Sequence, residues 1–128
     1  MDWKLVKTAS NSKGGSSPYA SVGFGRISLN VAASSLIEDY QKYSYVEFLK
    51  AYFNGKLYIG MRFLLENEKT EYSYPIKYKT ANGKKTGGVE ITGKKIMAEL
   101  FGPNAAENKV TRYNVKPDDT DHRILMIF

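Results

Sequence analysis

The sequence predicts an α+β fold: mostly antiparallel sheets of about eight strands with two short helices. Three observations lead there. Short stretches alternate apolar and polar residues, the period of a half-buried strand. Two Asn-Gly dipeptides, Asn54-Gly55 and Asn82-Gly83, join such stretches and mark tight hairpins. A glycine–strand–helix unit occurs twice, as GRISLNVAASSLIEDY (Gly25 to Tyr40) and as GGVEITGKKIMAELFG (Gly87 to Gly102). The repetition predicts a single domain, 1–128, made of pseudo-repeats over about 1–65 and 70–128. Each half reads strand, strand, helix, strand, strand.

Taken in order, Trp3 to Lys7 alternates as a short strand. SNSKGGSSP, Ser10 to Pro18, is polar and glycine-rich and predicts a mobile loop. Tyr19 to Leu29 predicts a strand whose Gly23 and Gly25 suggest a bulge or a close backbone approach. Asn30 is the expected cap of a helix from Val31 to about Tyr40, because Ala33, Leu36, Ile37 and Tyr40 fall at helical spacing. Tyr45 to Phe53 and Lys56 to Leu65 form a hairpin, the second arm with Leu57, Ile59, Met61 and Phe63 on one face. Glu66 to Glu71 is a charged turn. Tyr72 to Thr80 alternates again, but Pro75 has no N–H for a ladder, so an edge or a bulge is expected. After Asn82-Gly83 come a strand Gly88 to Thr92, with Thr92 a candidate cap, and a helix from about Lys94 to Phe101 ending at Gly102-Pro103. Val110 to Lys116 and Arg123 to Phe128 close the chain around an acidic turn, Pro117 to Asp121. Ile124, Met126 and Phe128 match the apolar face of Leu57, Ile59 and Met61.

The chain has 42% hydrophobic and 25% charged residues, ordinary for a soluble globular domain. No apolar run approaches the ~20 residues of a membrane span. The first ten residues carry an acid and no apolar h-region, so neither a membrane partner nor a secretory signal is expected. Absence of cysteine rules out disulfides and thiolate chemistry and fits a reducing, cytoplasmic setting.

Nineteen basic against 13 acidic residues give a net charge of +6, which points to a polyanion, most often nucleic acid. Ten tyrosines, most of them close to Lys or Arg, sharpen this reading. Bases stacked on aromatic rings beside phosphate-binding lysines are how single strands are held without sequence readout. The alternative is that tyrosine simply suits half-buried sheet positions. For charge, the candidates are Arg26, Lys56, Arg62, Lys77, Lys79, Lys84 and Lys85; for stacking, Phe24, Tyr58, Tyr74 and Tyr78. Each lysine also reads as an edge guard against aggregation, and Tyr74 and Tyr78 share a face with Ile76 and so also read as core.

Catalytic material is poor. His122 beside Asp118, Asp119 and Asp121 has metal-ligand chemistry, but a solvated hairpin tip explains it better. No GxSxG elbow is present. GFGRIS (Gly23 to Ser28) lacks the third glycine of a dinucleotide fingerprint, and NGKKTGG (Asn82 to Gly88) lacks phosphate-loop spacing. No enzyme activity, cofactor or metal is expected.

Two families resemble parts of this pattern. The unit Gly25 to Phe63, with its Arg-Ile-Ser-Leu strand, capped helix and hairpin, is similar to the AbrB-type swapped-hairpin repeat. That resemblance implies a duplex-DNA regulator whose paired units would here lie in one chain. The family's proline at the strand–helix junction is replaced by Asn30 and by Thr92-Gly93. Read from Tyr45, the order of four strands and a helix, repeated through the chain ends, resembles the Whirly and transcriptional-coactivator class and small phage single-strand binders. It implies curved antiparallel sheets that carry single-stranded DNA on aromatic and basic residues. Single-stranded DNA is thus the favoured partner, with an AbrB-like duplex regulator and a structural or protein-interaction module as the alternatives. Exposed edge strands would permit homo-oligomers.

Overall fold

The computed structural model describes residues 3, 17–106 and 109–128. Two-residue turns set its strand boundaries. Asn54-Gly55 has φ of 52° and 76°, and Asn82-Gly83 has 53° and 77°, the left-handed pair that a type I′ hairpin needs. Phe24-Gly25 takes the same form, at 57° and 71°. The stretch Tyr19 to Leu29 is therefore a hairpin and not the single strand expected: β1 (Tyr19–Gly23) turns into β2 (Arg26–Leu29). The first sequence-predicted strand lies outside the described residues except for Trp3, which is exposed and not in a strand; Ser10 to Ser16 lies outside as well.

The remaining strands are β3 (Tyr45–Phe53), β4 (Lys56–Leu64), β5 (Tyr74–Pro75), β6 (Lys77–Ala81), β7 (Lys84–Thr92), β8 (Thr111–Pro117) and β9 (Ile124–Ile127). All pairings are antiparallel, in the order β5-β3-β4-β9-β8-β1-β2-β7-β6. Among the described residues the result is a nearly closed barrel of nine strands, where the sequence predicts antiparallel sheets of about eight. Pro75 is the physical reason. The stretch expected as one strand breaks at Ile76, and its first part pairs with β3 while its second pairs with β7. The amide of Ile76 donates to the Ser44 carbonyl at the join (2.9 Å). One bent segment thus brings the two sheet borders together. Counting β5 with β6, exchanging β1 for β6, β2 for β7, β3 for β8 and β4 for β9 leaves the strand order unchanged.

Two helices pack on the barrel. α1 (Val31–Ser34) is a single turn, shorter than the spacing suggested. Its Asn30 cap is as expected, with Oδ1 accepting from the Ala33 amide (2.9 Å). Asp39 then takes a left-handed φ of 52° and a 3₁₀ turn follows at Tyr40–Lys42, yet Ala33, Ile37 and Tyr40 are all buried. Burial, not continuous helix, satisfies the periodic pattern. α2 (Lys94–Phe101) buries Met97 and Leu100 and ends at Gly102. Its cap position is Gly93; Thr92 instead ends β7, opposite Arg26.

Registers place the ends of the barrel. Arg26 pairs with Thr92 and Leu29 with Val89, so α1 and α2 leave opposite ends. Following the ladders around, the Phe24-Gly25 and Asn54-Gly55 turns share the α2 end. The Asn82-Gly83 turn and the turn before β9 share the other. Inside lie Val22, Ile27, Leu29, Val46, Met61, Phe63, Val89, Ile91, Leu125 and Ile127, each at most 2% exposed. On β9 it is thus Leu125 and Ile127 that face inward. Ile124, Met126 and Phe128, expected to match the core face of β4, line the outer surface instead, because Ile59 pairs with Ile127 and Met61 with Leu125.

Candidate nucleic-acid interface

The β3–β4 hairpin outruns its neighbours. Its two arms pair along all nine residues, whereas β9 joins β4 only from Ile59 to Arg62, and β5 joins β3 only at Tyr45 and Val46. Its tip therefore has no core to cover, and Tyr52 and Phe53 stand 76% and 66% exposed. As neighbours in a strand they stand on opposite faces of the hairpin, Phe53 on the side of the groove that Lys56 and Tyr58 also line.

Below the tip, the outer face carries a row of side chains set by register. The Tyr58 and Phe128 rings are 6.0 Å apart, tilted by 60°. Phe128 and Asn114 exchange backbone hydrogen bonds (2.8 and 2.9 Å), and Asn114 pairs with Tyr19. Tyr58, Phe128, Asn114 and Tyr19 thus lie side by side across β4, β9, β8 and β1. Adjacent strands are ~4.8 Å apart, so the row spans about 14 Å. Cations sit on its rings. Lys56 Nζ is 5.3 Å from the Tyr58 centroid and 5.4 Å from that of Phe128, and the Arg112 guanidinium is 4.3 Å from Tyr19.

A groove of about 510 Å³ adjoins this row, lined by Phe53, Lys56, Tyr58, Met126, Phe128 and Lys116 on its apolar and basic sides. A smaller hollow of about 210 Å³ continues it over Gly60, between Leu49 and Ile124. Asp118, Asp119 and Thr120 also line the groove, Asp118 beside the start of β9, where its amide donates to the Ile124 carbonyl. Asp118 Oδ2 accepts from the Thr120 hydroxyl (2.7 Å) and from the amides of Thr120 (3.1 Å) and Asp121 (2.9 Å). The Thr120 hydroxyl first, then the backbone amides, hold its carboxyl below the usual range.

The sequence candidates separate into five groups. Lys56 and Tyr58 are in the row. Phe24 is exposed at the same barrel end, its ring 5.8 Å from the Arg26 guanidinium. Lys77, Lys79 and Lys84 are exposed on the β6–β7 hairpin, whose turn is at the other end; the Lys85 side chain lies outside the described residues. Arg26 and Arg62 have charge partners already. Arg26 pairs with Glu90 (3.0 Å), and Arg62 with Glu47 (2.7 Å) and Asp121 (3.3 Å). Tyr74 and Tyr78 are turned toward the core. Tyr74 packs edge-on to Phe48 (5.6 Å). The Tyr78 hydroxyl lies 2.6 and 2.5 Å from the Tyr40 and Tyr43 carbonyl oxygens, which share its one proton, and burial pushes its phenol up to about 12. The bare count of tyrosines near lysines could not tell inner from outer positions.

Tyr19, Tyr52, Phe53, Arg112 and Phe128 were missed. A signal for the hairpin was present: KAYFNGKLY, Lys50 to Tyr58, interleaves rings and lysines around an Asn-Gly turn. Nothing in the sequence announces that Phe128 and Tyr19 join Tyr58, since that depends on β9 and β1 flanking β8.

Among the described residues, no group of three or more His, Cys, Asp or Glu side chains could hold a metal ion. No helix among them is long and apolar enough to cross a membrane. No family model, curated protein or solved structure matches the chain.

Proposed function

We propose that this is a non-enzymatic protein that binds single-stranded DNA across the outer face of β4, β9, β8 and β1. The carrying observation is Lys56 poised over both Tyr58 and Phe128 in a row that ends at Tyr19 under Arg112. Rings in a line offer sequence-tolerant stacking, and cations beside them meet phosphates. Tyr52, Phe53 and Phe24 extend the same set around one barrel end. A single strand follows such a tilted row because its bases rotate freely toward the rings. A duplex keeps its base faces stacked inside and leaves the rings nothing to stack on. The net charge of +6 supports long-range attraction of either form, so attraction alone does not choose between them; the rings favour the single strand. The strand order, unchanged on exchange of the two halves, supports an internal duplication.

The test is fluorescence anisotropy with a labelled oligo-dT and a duplex of equal length at matched salt. Tighter binding of the single strand, weakened by Tyr58→Ala in a protein that still melts cooperatively, is the expected result. Preference for the duplex would favour an AbrB-like regulator. Absence of binding to either at low salt would leave the exposed hairpin as a protein-interaction surface.

A further inference from the structure

We infer that the groove beside the ring row receives a base of the bound strand and that Asp118 selects bases bearing an exocyclic amino group, cytosine above uracil. This rests on the single-strand reading. The groove's two ends differ in charge. Lys56 stands with the rings at the Phe128 end of β9. Lys116 borders the middle opposite Met126. Asp118 lies at the Ile124 end, its amide bonded to the Ile124 carbonyl, with Asp119 and Thr120 following it. A nucleotide is divided in the same way, with an anionic phosphate at one end and a base edge that can carry hydrogen-bond donors at the other. Phosphate is repelled by the carboxylates and drawn to the lysines, so the strand is oriented with its base edges toward Asp118.

The floor suits an inserted ring. At Gly60 the nearest neighbours of a would-be Cβ are Ile124 Cγ2 at 3.1 Å and Leu49 Cβ at 3.7 Å. With glycine there, Ile124 and Leu49 settle close onto the strand, which keeps the hollow they border free above them. Met126 and Tyr58 border both this hollow and the larger groove, giving a flat apolar bed for one base.

Asp118 also has the chemistry to discriminate. Oδ2 is engaged by the Thr120 hydroxyl and two backbone amides, which fixes the carboxylate in place. A carboxylate has two oxygens and about four lone-pair sites, so the group retains capacity for a donor from a ligand. Cytosine presents an amino group at C4, which a carboxylate accepts. Uracil presents a carbonyl oxygen at the same place, and two acceptors repel. The two bases are otherwise nearly equal in shape, so apolar packing cannot separate them.

The experiment compares oligo-dC with oligo-dU of equal length, by anisotropy at fixed salt, for the unaltered protein and for Asp118→Asn and Gly60→Val. A good bidentate base contact discriminates by about 5- to 150-fold, and a single carboxylate-to-amine bond falls at the low end of that range. The unaltered protein should prefer oligo-dC by an amount near that low end. Asp118→Asn keeps an oxygen for the Thr120 and Asp121 amides, so it should remain folded while the preference collapses toward unity. Gly60→Val pushes Ile124 and Leu49 outward into the hollow and should lower oligo-dC binding toward that of oligo-dU. Equal affinity for both oligomers in the unaltered protein, or a preference that survives Asp118→Asn, would overturn the inference and leave the single-strand reading standing. No binding of either oligomer would overturn the reading, and the inference with it.

Discussion

Replacing Phe24 by Asn should weaken single-strand binding while leaving the protein about as stable as before. The other two hairpin turns of this form begin with Asn, at Asn54 and Asn82, whereas Phe24 holds a φ of 57°. A left-handed backbone costs an ordinary L-residue roughly 1–2 kcal/mol, and Asn tolerates it better. The substitution therefore relieves about 1 kcal/mol of strain. Against this stands the ring's packing. Phe24 is 45% exposed, so it loses about half of the roughly 1.5–3 kcal/mol that full burial of a phenylalanine contributes. Its contact with Arg26 is exposed and adds about 0.5–1 kcal/mol. These terms nearly cancel, and the melting temperature should move by no more than about 4 °C. Binding has no such compensation. One lost stacking partner costs about 1–3 kcal/mol, or roughly 5- to 150-fold in affinity for oligo-dT. Anisotropy titration and thermal unfolding followed by circular dichroism measure the two quantities separately, and Phe24→Tyr, which keeps the ring, should bind as before. Unchanged affinity in a folded Phe24→Asn protein would falsify the idea that the strained ring is kept for a ligand. A loss of several kcal/mol of stability would identify it as a packing residue instead.

Three further outcomes are expected. Lys56→Ala should weaken oligo-dT binding and flatten the dependence of log K on log salt by about 0.7, the share of one phosphate on a single strand, whereas Tyr52→Ala with Phe53→Ala should weaken binding without altering that slope. Gly87→Ala should cost at least about 2 kcal/mol in chemical denaturation, because Gly87 has a φ of 128° and a Cβ there would overlap the Val31 side chain of α1; a milder effect would mean that α1 moves aside easily. Tyr78 titrates near 12 in the folded protein, above its ordinary 10.0, so the unfolded chain loses this proton first as pH rises. Its contribution is whole below about pH 10 and falls away toward pH 12. Denaturation at stepped pH should show a steeper alkaline decline in the unaltered protein than in Tyr78→Phe, and parallel curves would exclude this linkage.

Local signals in the sequence carried most of the secondary structure. Asn-Gly located two hairpins because φ > 0 at both positions admits few residues, and the same rule concealed the third, where Phe24 occupies an Asn position. Apolar spacing identified Ala33, Ile37, Tyr40, Met97 and Leu100 as buried, but it could not distinguish a helix from one helical turn followed by a 3₁₀ turn. Barrel closure was hidden, since Pro75 signals only a break and not which neighbours the two pieces will find. For the interface, Lys56 and Tyr58 were legible from the hairpin itself. The ion pairs that occupy Arg26 and Arg62 were not, because Glu90 lies 64 residues from Arg26 and only the β2–β7 register brings them together.

The join between β3 and β5 has a consequence for how molecules could exchange parts. It is the shortest ladder of the barrel, Tyr45 with Pro75 and Val46 with Tyr74, and the proline brings no amide to it. Thermal unzipping should begin there, and hydrogen exchange should find the Ile76 amide among the first of the barrel to lose protection. An unlatched chain presents two bare selvedges whose strand sequences around the ring are interchangeable. Two such chains can button onto each other as each buttons onto itself, so crowding at elevated temperature should yield a domain-swapped dimer.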